Sequence, residues 1–239
     1  MTTASEPKAH RERAVVCLSG GMDSCVTAAI AARDYDAYGI HFSYGQRTET
    51  REFDAADAVA RAVGLRQVMH LRIDVFRRIG GSALTDARIA VPETMAGDPL
   101  DGNVTHEIPV TYVPFRNAHF LSAAVSWAEV LGAKRVFIGA VEQDSSGYPD
   151  CRPAYYDAFN RLIETGTKNG DIRVETPLIA LKKSEIIKLG LELNAPFHVT
   201  WSCYSGDAQA CGVCDSCVLR QRAFAQAGMD DPIPYAVRR

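Results

Sequence analysis

Leu18-Ser19-Gly20-Gly21-Met22-Asp23-Ser24 is the stretch that decides how this 239-residue chain folds. It follows an apolar run, residues 14–18, that reads as a short buried strand. It precedes an Ala-rich stretch, residues 25–33, that reads as a helix. Paired glycines let the backbone turn tightly and approach a ligand closely. Asp23 and Ser24 fall where the helix begins, with its free N–H groups and positive dipole end facing the loop. Strand, glycine turn and helix N-terminus together make a phosphate-binding arrangement. No Gly-x-x-x-x-Gly-Lys-Ser/Thr string occurs, and Gly-x-Gly-x-x-Gly is missing from this first turn, so neither the Walker loop nor the dinucleotide fingerprint applies.

Outward from that loop, strand and helix patterns alternate. Residues 37–43 read as a second strand ending in Tyr44-Gly45-Gln46. Phe53, Ala56, Ala60 and Val63 recur at helical spacing before Gly64, and residues 67–73 read as a third strand. Residues 80–107 carry glycines and prolines without periodicity and exceed the usual connection of about 12–15 residues, so they read as a lid-like insert. Val110–Val113 and residues 135–140 read as further strands. A helix is expected after Arg116-Asn117, through Leu121, Ala124, Val125, Ala128 and Leu131, and others over residues 153–165, 183–191 (ended by Gly190) and 215–227. The pattern predicts an α/β fold, a doubly wound parallel sheet covered on both faces. Ligands of such sheets bind beyond the carboxyl ends of the strands. The glycine loop, Gln46, Arg116-Asn117 and residues 142–152 should therefore converge.

Composition bounds the rest. Apolar residues make up 47% and charged residues 23%, which suits one large globular domain. A net charge of −3 argues against an extended nucleic-acid surface. No apolar run approaches the ~18–20 residues that span a bilayer, and residues 1–13 read as a polar, flexible leader, so a cytoplasmic location is expected.

Cys203, Cys211, Cys214 and Cys217 fall within 15 residues at spacings x7, x2 and x2. Four thiolates so close can enclose one tetrahedral metal, and spacing alone admits either zinc or a [4Fe–4S] cluster. The division expected is a leader (1–13), a nucleotide domain (14–200) and a four-cysteine region with a final helix (201–239).

Ser-Gly-Gly-Met-Asp-Ser after a first strand resembles the PP-loop of the ATP pyrophosphatases. Further strings resemble one family among them, the 7-cyano-7-deazaguanine synthases: Tyr44-Gly45-Gln46-Arg47, Gly80-Gly81-Ser82-Ala83-Leu84-Thr85-Asp86, Val113-Pro114-Phe115-Arg116-Asn117, Ser146-Gly147-Tyr148-Pro149-Asp150-Cys151-Arg152-Pro153 and Cys211-Gly212-Val213-Cys214-Asp215-Ser216-Cys217. The resemblance implies a Rossmann-like PP-loop domain and an ATP-dependent ligase. Its substrates would be 7-carboxy-7-deazaguanine, ATP and ammonia, and its products 7-cyano-7-deazaguanine, AMP and pyrophosphate. Both the acid and the intermediate amide would be activated as AMP esters. It also implies structural zinc on the four cysteines, Mg²⁺ with ATP, and a homodimer that binds neither nucleic acid nor membrane.

On that resemblance, Leu18 to Ser24 and Gln46 bind ATP, with Asp23 holding Mg²⁺ or, on the plainer reading, capping the helix. Arg116 binds phosphate or carboxylate, and Lys183 neutralises phosphate charge. Asp23, Ser24, Arg116 and Lys183 form the catalytic set. Asn117, Asp144, Tyr148, Asp150 and Arg152 bind the deazaguanine, a carboxylate matching the guanine N1–H and amino donors. The competing reading is a PP-loop tRNA-modifying thiolase, which needs a sulfur-carrying cysteine pair and an RNA-binding extension.

Overall fold

The computed structural model describes residues 11–93, 108–142, 148–205 and 208–238. Five parallel strands form one sheet in the order β3-β2-β1-β4-β5: β1 Arg13–Cys17, β2 Asp36–Ser43, β3 Val68–Arg72, β4 Arg135–Ile138 and β5 Arg173–Glu175. The strand order reverses between β1 and β4, and at such a switch point two loops leave in opposite directions and open a crevice. Among the described residues the helices are α1 Met22–Asp34, α2 Glu49–Val63, α3 Val75–Ile79, α4 Arg116–Leu131, α5 Pro153–Gly166, α6 Lys183–Glu192 and α7 Asp215–Gln226.

β1 is buried on both sides, which explains its unbroken apolar run. Val15 and Cys17 point into a core with Leu121 and Ala124 of α4 and Phe159 and Ile163 of α5. Ala14 and Val16 point the other way, into a core built by α1, α2, α6 and α7 through residues such as Val26, Val59, Ile187 and Phe224. Alternate residues of one strand thus feed both helical layers, as period-2 geometry requires. The doubly wound parallel sheet is the architecture expected from the sequence.

Several expectations are corrected. Val110–Val113 form no strand. Pro109 and Pro114 flank the run, and no sheet neighbour takes it up, because β1 is already paired to β2 and β4. Val113 is nonetheless buried, so its apolar character serves packing rather than pairing. β5 and α3, of three and five residues, carry too little periodicity to be read. Gly190 does not end α6 but lies inside it, against the ring of Phe197. The start of the expected lid is core: Ser82, Ala83 and Leu84 are buried, and Arg47 holds the segment by hydrogen bonds to the carbonyls of Ala83 (2.7 Å) and Ile89 (2.6 Å). The rest of that insert, 94–107, lies outside the described residues, as does Asp144.

Candidate active site at the sheet switch point

A cavity of about 300 Å³ opens beyond β1 and β4, walled by the loop after β1 and by Gly139-Ala140-Val141 after β4. Of the described residues predicted to bind ATP or substrate, all except Gly20, Asp150 and Arg152 line it.

The loop geometry follows from its glycines. Gly20 has φ +83°, and a Cβ there would meet the backbone N of Ala56 at 2.7 Å, so the loop lies directly on α2. Gly139 plays the same part from the other side, where a Cβ would stand 2.9 Å from the backbone N of Ser24. Inside the loop, Ser19 Oγ accepts from Gly21 N (3.2 Å) and donates to Ser24 Oγ (3.0 Å), which donates to the Gly21 carbonyl (2.9 Å). The first intrahelical bond runs from Cys25 N to that carbonyl (3.0 Å). The backbone N–H groups of Met22, Asp23 and Ser24 therefore have no protein acceptor among the described residues, and Gly21 caps α1 without a side-chain bond. Three free donors at a helix N-terminus, lining a cavity, are suited to phosphate oxygens.

Asp23 is paired through Oδ2 with Lys183 Nζ, while its Oδ1 is buried without a hydrogen-bond partner. Lys183 is the first residue of α6. The start of that helix is fixed by Glu185, whose carboxylate accepts from the Lys182 backbone N–H (2.8 Å). The orphaned Oδ1 suits a hard cation such as Mg²⁺, which takes one or two carboxylates plus substrate phosphates.

Arg116 opens α4 immediately after Phe115, whose left-handed backbone (φ 58°, ψ 25°) is a strained conformation for a non-glycine residue. The Arg116 guanidinium lies over the rings of Tyr44 (5.7 Å) and Phe120 (5.6 Å) and donates to Tyr44 Oη (3.2 Å). It makes no ion pair among the described residues, and its Nε is buried without a partner. A desolvated, unpaired guanidinium at a cavity wall is suited to an anion.

The residues predicted for the deazaguanine divide. Asn117 and Asp150 are bonded to each other: Asn117 N donates to Asp150 Oδ2 (3.1 Å) and Asn117 Nδ2 to the Asp150 carbonyl (3.1 Å). Asp150 lies behind the wall, and burial raises its carboxyl above the usual range against the opposing Asn117 bond and Arg116 charge. Tyr148 lines the cavity with its hydroxyl donated to Thr111 Oγ1 (2.9 Å). Arg152 is exposed and outside the cavity, where its backbone caps α5. Gln46 lines the cavity, but its amide is bound internally: Oε1 accepts from Tyr44 N (2.8 Å), and Nε2 donates to the Phe42 carbonyl (3.3 Å) and Glu52 Oε2 (3.1 Å).

Glu52 and Trp201 also line the wall; sequence reasoning assigns neither a role, although Trp201 lies in a family-like string, Thr200-Trp201-Ser202-Cys203-Tyr204. Glu52 is hidden among the charges of an amphipathic helix, and the only sequence signal is its place six residues after Gln46. Trp201 is brought in by its backbone N–H on the Gly20 carbonyl (2.9 Å), with the Arg51 guanidinium over its ring (4.5 Å).

The four sulfurs of Cys203, Cys211, Cys214 and Cys217 lie within 4.8 Å of one another, and Cys211 and Cys217 are 3.9 Å apart. A tetrahedral ion with bonds of about 2.3 Å sets its sulfurs about 3.8 Å apart, so the cluster fits zinc. Backbone N–H groups of Ser205 and Cys211 donate to Cys203 Sγ (3.4 and 3.3 Å), and those of Val213 and Cys214 to Cys211 Sγ (3.5 and 3.4 Å), as thiolate ligands require. The cluster joins the cavity through the Cys203 carbonyl, which accepts from Trp201 Nε1 (3.1 Å) and lies 3.2 Å from Thr48 Oγ1.

The family model described as queuosine biosynthesis protein QueC matches residues 13–228. The chain belongs to the QueC family. The 7-cyano-7-deazaguanine synthase of Acidobacterium capsulatum is 71% identical over 228 residues, spanning 95% of this chain and 98% of that protein. The synthase of the same name from Koribacter versatilis is 62% identical over 229 residues, spanning 95% of this chain and 94% of that one. Among solved structures, the NH3-dependent NAD synthetase of Campylobacter jejuni aligns with a TM-score of 0.46 at 17% identity, over 80% of this chain and 68% of its own. No helix among the described residues of this QueC-family chain is long and apolar enough to cross a membrane.

Proposed function

We propose that this QueC-family chain is an AMP-forming, ATP-dependent carbon–nitrogen ligase that converts 7-carboxy-7-deazaguanine and ammonia to 7-cyano-7-deazaguanine. The observation that carries the chemistry is the set of three free N–H groups at the start of α1, facing a cavity that also holds Arg116 and the Asp23–Lys183 pair. The product is taken from the relatives' name, and 7-carboxy-7-deazaguanine and ammonia from the family resemblance of the sequence.

In this reading the N–H groups of Met22, Asp23 and Ser24 bind the pyrophosphate portion of ATP and stabilise the charge that develops on it as it leaves. Lys183 adds a positive charge beside them. Arg116, held flat by Tyr44 and Phe120, orients the substrate carboxylate or the α-phosphate. Asp23 Oδ1 would hold Mg²⁺, which would supply charge neutralisation for the triphosphate. Trp201, Tyr44 and Phe120 exclude water from the acyl-adenylate. Asn117 lies on the wall, braced from behind by Asp150, and Tyr148 lies on the substrate side. The four cysteines would hold zinc as a structural ion, tying the 201–239 region to the nucleotide domain of 14–200.

The thiolase reading fares worse. Four cysteines are gathered in one cluster, and burial raises the thiols of Cys17 and Cys25 to about 12 and that of Cys151 to about 11, which disfavours the thiolate that a sulfur carrier needs. The cytoplasmic, homodimeric, nucleic-acid-free state belongs to the proposal as well. Incubation with ATP, ammonium and 7-carboxy-7-deazaguanine, followed by mass spectrometry, tests it. The nitrile is expected, and its absence with well-folded protein would overturn the proposal.

A further inference from the structure

We propose that Glu52 binds ammonium in this cavity and takes the proton that must leave before nitrogen can attack the acyl-adenylate. The inference rests on the synthase reading and adds the site and the base for its nitrogen substrate.

Ammonium has no lone pair, so a site that consumes ammonia near neutral pH needs a group to hold the cation and accept its proton. Only two carboxylates line the cavity among the described residues, Asp23 and Glu52. Asp23 is paired with Lys183, whereas Glu52 makes no ion pair among the described residues. Glu52 keeps part of its surface open where it meets the cavity, between the Tyr44-Gly45-Gln46 turn and the glycine loop.

The hydrogen bonds around Glu52 accommodate both of its protonation states. Gln46 Nε2 donates to Oε2 (3.1 Å). The Thr48 hydroxyl lies 2.9 Å from Oε1 and 3.2 Å from the Cys203 carbonyl, two acceptors for a single hydrogen. With Glu52 ionised, Thr48 donates to the carboxylate. With Glu52 protonated, the carboxyl O–H can donate to Thr48 Oγ, and the Thr48 hydrogen turns to the Cys203 carbonyl. A proton therefore arrives without orphaning any of these groups. Burial pushes the carboxyl up to about 7, against the opposing Thr48 and Gln46 bonds and the Arg116 charge on α4, with Glu49 of the same helix adding to the rise. Tyr44, the other titratable neighbour, is pushed up to about 12 by burial and stays neutral. A base poised near the working pH combines availability with driving force.

Ammonium gives one proton to the Glu52 carboxylate, and the freed lone pair forms the C–N bond at the acyl carbon. The acyl C–O bond breaks with its electron pair leaving on the AMP phosphate. The second proton on nitrogen passes to that departing phosphate, and Glu52 returns its own to solvent.

Glu52→Gln tests the assignment through two readouts. Exchange of labelled pyrophosphate into ATP, dependent on 7-carboxy-7-deazaguanine and run without ammonia, reports adenylation. Product formed from ammonium or from hydroxylamine, which is already neutral near pH 7, reports nucleophilic attack. The variant is expected to keep exchange comparable to wild type and to lose amide formation from ammonium by about 100-fold or more at pH 7. It should form the hydroxamate at the wild-type rate, and Glu52→Asp should recover part of the ammonium reaction. Equal losses with both nucleophiles, loss of exchange, or undiminished use of ammonium would overturn the assignment while leaving the synthase reading intact. Absence of exchange in the wild type would instead overturn that reading and this assignment together.

Discussion

Lys183, at the first position of α6, meets Asp23, in the first turn of α1, as an ion pair between residues 160 positions apart. The pair joins two helix N-termini at one cavity. It leaves one Asp23 oxygen for a cation and one Lys183 charge beside the phosphate donors.

Because the two side chains act as a unit, their losses should not add. Asp23→Asn and Lys183→Met should each lower kcat by roughly 100–1,000-fold, the range for removing one preorganised charge or donor at a developing anion. The double variant should lose little more than either single one. Steady-state kinetics on the three variants, with circular dichroism to confirm folding, measures this directly.

Arg116→Lys keeps the charge but loses the planar fork and its contact with two rings. A loss of about 10–100-fold in kcat/KM is expected, equal to roughly 1.4–2.7 kcal/mol of transition-state stabilisation. Wild-type kinetics in this variant would mean that Arg116 serves only its own loop.

Much of this site was legible in the sequence because its parts follow strands, and strand ends converge wherever parallel strands alternate with helices. The glycine loop and the cysteine spacings were readable because each needs particular residue types at fixed positions. The Asp23–Lys183 pair was not, since no local pattern links two helix starts so far apart. Val110–Val113 misled because an apolar run between prolines looks like a strand until its pairing partners are counted. Glu52 was invisible because a carboxylate on an amphipathic helix ordinarily faces solvent. Here α2 is pressed against the loop through Gly20, so that Glu52 faces the cavity.

Metal removal should act on the fold before it acts on chemistry. Purified protein should contain about one zinc per chain and no iron or sulfide. Cys214→Ser, or a strong chelator, should lower the melting temperature and solubility, since structural zinc contributes folding free energy directly. Calorimetry with metal analysis checks this. Stoichiometric iron and sulfide would contradict the zinc assignment.

Stability should also respond to pH through the half-buried Glu52 and the buried His41. Burial raises the folded Glu52 value to about 7 from an ordinary 4.5, so between those values the folded state binds more protons than the unfolded one. That contribution is present below pH 4.5 and is lost as pH rises through 7. Above pH 7, Glu52→Gln should therefore be more stable than wild type, by at most about 3 kcal/mol. His41 carries the opposite sign. Its Nδ1 carries the hydrogen, since it meets the Leu18 carbonyl at 2.8 Å, while Nε2 is buried without a partner. Burial, opposed by that Leu18 bond, lowers its value below the usual 6.5. The unfolded chain then binds more protons on acidification, and stability should fall as pH drops below 6.5. His41→Asn, which can still donate to Leu18, should flatten that limb in urea titrations run across the pH range.

In the proposed reaction both carboxylate oxygens of the substrate are activated as AMP esters. This double activation is tested most directly by supplying 7-carboxy-7-deazaguanine labelled with ¹⁸O in both oxygens, together with ATP and ammonium, and following the label by mass spectrometry. Two AMP molecules per nitrile are expected, each carrying one ¹⁸O in its phosphate, with unlabelled pyrophosphate. Label appearing in inorganic phosphate alongside ADP would contradict that activation.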